Sequence, residues 1–180
     1  MSNLFLKAAV RTWFALTSRK QATARIQDLL RDYQVLAERV GPAIGSRPVL
    51  VPRMRGVDED MRNWSFFMIL EHNAIVNRSV AKVVEDLARG VEPTGDGDID
   101  PKHDVMPSAS PGIEQIQLFQ DSVENYLQRV SVLGPLRGTL TKRHPVFGMF
   151  DAYQWHCMLG FHLMIHHRQA EYVVSKACGG

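Results

Sequence analysis

Apolar residues recur along most of this chain at three- and four-residue steps, the period of amphipathic helices rather than of strands. A first helical stretch is expected from about Leu4 to Val40, with Ile26, Leu29, Leu30, Tyr33 and Leu36 on one stripe. It should break near Thr17 and Ser18, because Ser18 and Gln21 have the spacing of a capping box, and Gly41-Pro42 should end it. Residues 45–56 read as a loop with extended character around Val49 to Val51. A second helix is expected from near Asp58 to about Arg89, carrying Trp64, Phe67, Met68, Ile75, Val76, Val80, Val83, Val84 and Leu87 on one face. Residues 90–111 are rich in Gly, Pro, Asp and Ser and read as a mobile loop, long for a compact domain. Ser110-Pro111 has the form of an N-cap and first-turn proline for a third helix, which Gly134-Pro135 should stop. After a connector from Arg137 to Phe150, Asp151 and Gln154 have capping-box spacing at the head of a last helix running to about Val174. No paired strands are expected. The pattern predicts an all-α fold, a four-helix bundle with an extra N-terminal helical segment, as a single domain over 1–180 with its core at about 20–175.

Composition narrows the function classes. At 180 residues, 45% hydrophobic and 22% charged, the chain is long enough to bury a core without staples. A net charge of +2, with its basic residues scattered in pairs, argues against nucleic-acid or anionic-membrane binding. Cys157 and Cys178 make no CxxC motif, so a disulfide framework is not expected and a reducing cytoplasm is the default. Lys7 and Arg11 interrupt the apolar N-terminal stretch before it reaches the length of a signal core or a membrane span.

The seven histidines carry the candidate chemistry: His72, His103, His144, His156, His162, His166 and His167. His162 and His166 are one turn apart on the face of the last helix that also holds Trp155, Met158, Leu159, Ile165 and Gln169. His156 and His167 fall on other faces. His72 lies on the inward stripe of the second helix, between Met68 and Ile75. An i, i+4 pair of imidazoles grips a metal ion readily, and a third from a facing helix completes a chelate. The competing reading is a set of hydrogen-bonded core histidines. Three buried imidazoles need partners in either case, since unmet polar groups cost several kcal/mol.

The string His162-Leu-Met-Ile-His166-His167-Arg168-Gln169 resembles the terminal His-x3-His-x2-Gln signature of the DinB/YfiT-like superfamily. His144-Pro145-Val146-Phe147-Gly148, followed by Gln154-Trp155, is similar to the approach to that signature in one branch of it, and Trp64 to His72 resembles its first-ligand helix. The resemblance implies a four-helix bundle, often a homodimer, holding one divalent metal ion, nickel or zinc, on His72, His162 and His166 with coordination left open to water. It also implies a metal-dependent, thiol-dependent transferase or hydrolase acting on a small molecule, with a low-molecular-weight thiol as cosubstrate. The chain departs from the family pattern in two places. It lacks the glycine often found between Arg168 and Gln169, and Glu71 stands where an apolar residue is common.

Three neutral histidines with a vacant fourth position are the ligand set of a catalytic zinc-type site rather than a closed structural one. A metal so held acidifies bound water or stabilises a thiolate. No catalytic side chain is assigned. Glu71 is a conceivable general base, although it points about 100° round the helix from His72, and Cys157 falls away from the ligand face. The alternative is a non-catalytic, metal-stabilised dimer of bundles serving as an interaction module. Haem held by facing histidines is disfavoured, because His162 and His166 share a turn.

Overall fold

The computed structural model describes residues 3–92 and 104–179. Six helices and one small hairpin follow in the order α1 (Asn3–Leu16), α2 (Arg19–Ala37), α3 (Pro42–Gly45), α4 (Phe66–Ala88), α5 (Gln115–Ser131), β1 (Lys142–His144), β2 (Gly148–Phe150) and α6 (Ala152–Cys178). The bundle is built from α2, α4, α5 and α6. The all-α fold expected from the hydrophobic period is therefore present, with α1 as the additional N-terminal segment. Among the described residues no helix is long and apolar enough to cross a membrane.

Local chemistry sets the helix ends. The Ser18 hydroxyl accepts from Gln21 N–H and the Gln21 side chain accepts from Ser18 N–H, closing the expected capping box at the break between α1 and α2. Asp151 and Gln154 do the same at the head of α6. Each box satisfies two backbone donors that helix geometry would leave orphaned. The stripe read on α2 is the buried one, with Ile26 and Tyr33 almost wholly enclosed. Beside the first of these boxes, the Arg19 guanidinium donates to the carbonyls of Val130, Leu133 and Gly134, placing a cation at the C-terminal end of α5.

Three expected boundaries are corrected. The second long helix begins at Phe66, capped by Ser65, whose hydroxyl accepts from Met68 N–H, and not near Asp58. Upstream, Glu59–Met61 forms a single 3₁₀ turn, and the backbone then runs beside the extended stretch 49–51. Val49 N–H donates to Trp64 O at 3.2 Å and Val51 N–H to Arg62 O at 2.9 Å, so those carbonyls are spent across the chain rather than along a helix. Ser110-Pro111 is likewise not the cap of α5. Gly112 N–H is taken by the Glu114 carboxylate and the next bonds are tight i to i+3 turns, so the helix proper starts at Gln115. The connector before α6 is the third correction, because it does contain paired strands. Lys142, Arg143 and His144 face Phe150, Met149 and Gly148 in an antiparallel hairpin. Gly148, at φ +82°, supplies a left-handed backbone that a side chain would strain.

This hairpin is held from outside by α1. The Arg11 guanidinium donates to Phe147 O at 3.0 Å and Met149 O at 2.9 Å. Phe14 packs edge-on against Phe150 and Phe161, which seals α1 and the hairpin onto α6. The loop expected over 90–111 lies in part outside the described residues. From Asp104 onward it runs against α4, with Val105 buried.

Candidate metal centre

His72 comes from α4, and His162 and His166 come from successive turns of α6. The fold brings the three together, with one ring nitrogen from each lying within 4.8 Å of the others. Ring centroids are 5.1 Å apart for His72 and His162, 4.7 Å for His72 and His166, and 4.6 Å for His162 and His166. Two ligand nitrogens on one zinc-type ion, at about 2 Å each, lie roughly 3 to 4 Å apart, so small ring rotations suffice to close the cluster on an ion. Trp64 walls one side, 5.1 Å from His72 and stacked at 6.3 Å on His166.

Hydrogen bonds fix which nitrogen two of the rings, His72 and His166, present. His72 Nδ1–H donates to Val105 O at 2.6 Å, leaving a lone pair on Nε2. The Gln169 amide NH2 donates to Met61 O at 2.7 Å, so its Oε1 is the acceptor facing His166 Nδ1–H at 2.8 Å. His166 thereby also presents Nε2 as a lone pair. The Nε2 atoms of His72 and His162 are sealed from solvent and have no hydrogen-bond partner. Buried ring nitrogens left without a partner cost free energy, and a cation that takes their lone pairs removes that cost. The residues present therefore fit a divalent metal ion: three imidazole donors, two of them oriented by an acceptor on the opposite nitrogen.

Electrostatics point the same way. Burial pushes His166 down to about 3, aided by His72 and opposed by the Gln169 hydrogen bond. His162 lies well below the usual imidazole range, through burial first and then through His166, His72 and His144. His72 is lowered by burial, partly offset by its bond to Val105. All three rings are neutral at physiological pH, the state in which imidazole ligates metal.

Of the other described histidines, His156 and His144 are engaged by neighbouring groups, while His167 also leaves a buried Nε2 without a hydrogen-bond partner, away from the cluster. His156 is enclosed between Thr23 Oγ1 at 3.0 Å and the Tyr126 hydroxyl at 2.7 Å, joining α2, α5 and α6. His144 Nδ1 accepts from the backbone N–H groups of Val146 and Phe147, and its ring packs against Trp155, Phe147 and Phe150. His167 meets the Tyr33 ring edge-on and lies 3.6 Å from Glu171. His103 lies outside the described residues. Cys157 is buried, and burial pushes its thiol up to about 11, so it carries no thiolate nucleophile. Glu71, read from the sequence as a conceivable base, has its carboxylate occupied by Ser108.

Sequence reasoning missed the groups that orient the rings. Gln169 is legible in the sequence as a polar residue on the ligand face, one turn beyond His166. Val105 O and Met61 O are backbone atoms on distant segments and carry no side-chain signal. No family model, curated protein or solved structure matches this chain.

Proposed function

We propose that this chain is a DinB/YfiT-like metalloprotein that holds one divalent metal ion, nickel or zinc, on the Nε2 atoms of His72, His162 and His166. On this reading it carries out thiol-dependent transfer or hydrolysis on a small molecule. The observation that carries the proposal is the convergence of three ring nitrogens within 4.8 Å, two of them buried and unpartnered at Nε2. When bound, the metal would supply Lewis acidity, lowering the pKa of a coordinated water or thiol toward neutrality. The chain's own residues divide the remaining work. Val105 O and Gln169 hold the His72 and His166 rings in the Nε2-presenting tautomer. Trp64, only 2% exposed, excludes water from the side of the cluster it covers. Three ligands rather than four leave room for an exchangeable group, as in catalytic sites. In the same proposal the chain is a cytoplasmic homodimer.

Elemental analysis of untagged protein tests the reading. Wild type is expected to hold about one metal ion per chain, and His162→Ala and His166→Ala to lose it, whereas His156→Gln keeps it. Equal loss in all three variants would remove the ligand assignment. A loaded wild type that then transfers an electrophile to a low-molecular-weight thiol, with His166→Ala inactive, would support the enzymatic part. Metal retention with no such activity would favour the interaction module.

A further inference from the structure

Glu71 stands beside His72 on α4 and is a half-buried carboxylate that the metal chemistry described above does not use. Its Oε2 accepts two hydrogen bonds from one residue, Ser108 N–H and Ser108 Oγ–H, both at 2.8 Å. Three residues before Ser108, the Val105 side chain is buried at 5% exposure. The Val105 carbonyl is the group that takes His72 Nδ1–H at 2.6 Å. Residues 105–108 are thus fastened to α4 at two consecutive positions, Glu71 at one end and His72 at the other, with Met106 packed on the core between them.

We propose that Glu71 is a positioning residue for the metal centre: by anchoring Ser108 it keeps the Val105 carbonyl on His72 and so slows release of the bound ion. This rests on the three-histidine metal reading. A backbone carbonyl on a surface segment orients a ligand only while the segment stays docked, and loops of this kind are drawn from the least stable part of a fold. Hydrogen bonds to an ionised carboxylate are shorter and stronger than neutral ones, and two of them on one oxygen give the segment a defined seat. Losing the seat frees His72 to rotate, which removes one tooth of the chelate. Loss of a ligand's orienting partner lowers metal affinity by about 10- to 100-fold, and Glu71 acts one step further out, so an effect near the lower end is expected.

The test uses the full chain loaded with zinc and chased with excess chelator, for wild type, Glu71→Leu and Glu71→Gln. Glu71→Leu is expected to release zinc about tenfold faster, with faster amide hydrogen exchange confined to residues 105–108. Glu71→Gln keeps an acceptor oxygen for Ser108 and should stay close to wild type in both readouts. Release from Glu71→Leu at the wild-type rate overturns the proposal, as does faster exchange spread through α4 and α6, which marks general destabilisation. A wild type that holds no zinc, nickel or other divalent ion overturns the metal reading and this proposal with it, a result distinct from either of the others.

Discussion

His72, His156 and His166 take their different characters from what their ring nitrogens touch. His72 and His166 each give Nδ1–H to an oxygen and turn Nε2 inward. His156, on the same helix as His166 and equally enclosed, has both nitrogens engaged by hydroxyls and none left for an ion. Gln169 shows how far the ordering extends, since its amide joins His166 to Met61 O and is itself fully buried. Gln169→Leu is therefore expected to weaken metal binding about 10- to 100-fold, read by competition with a chromophoric chelator. Affinity equal to wild type would mean that the His166 tautomer is set by something other than this amide.

Among the elements, α6 contributes most, bearing two of the three candidate ligands and packing against α2, α4 and the hairpin. Its partner α4 is aimed by short structure at its head. There α3 lies so close that a Cβ on Gly45 would meet the Phe67 ring at 2.2 Å. Phe67 is fully enclosed and cannot swing aside. Gly45→Ala should thus cost about 1–3 kcal/mol, the usual range for overpacking, seen as a lower denaturation midpoint with unchanged slope. An unchanged midpoint would show that α3 is free to move off α4.

The whole molecule buries several imidazoles in the neutral form, and acid should act on it as a unit. His156 is pushed from 6.5 to about 4, by burial first and by the nearby Arg19 second. His144 is pushed to about 4 by burial. A histidine whose folded pKa is depressed adds stability that is complete above its unfolded value. That stability drains as pH falls, because the unfolded chain takes up the proton first. At about 1.4 kcal/mol per unit, His156 alone accounts for up to roughly 3 kcal/mol between pH 6.5 and 4. Urea melts of metal-free protein should lose stability over that window, with a shallower loss in His156→Gln. Parallel curves for the two proteins would place the pH dependence on other groups.

The sequence by itself determined the helical class, both capping boxes, the buried stripe of α2 and the faces on which His72, His162 and His166 meet. These are local properties: a 3.6-residue period assigns a face, and caps act within four residues. On α4, by contrast, Met68, Ile75 and Val76 of the expected stripe are only half-buried. Tertiary structure decided the start of α4, where cross-chain bonds to Val49 and Val51 claim the carbonyls of Arg62 and Trp64. It also decided the start of α5, and it folded the connector into a hairpin that Arg11, more than 130 residues away in the chain, holds by its carbonyls. At the centre itself, sequence spacing named the three rings, but not the oxygens that turn two of them inward. Val105 O and Met61 O are backbone atoms, identical in kind at every position, and only the folded chain selects which of them meets a histidine or the glutamine behind it.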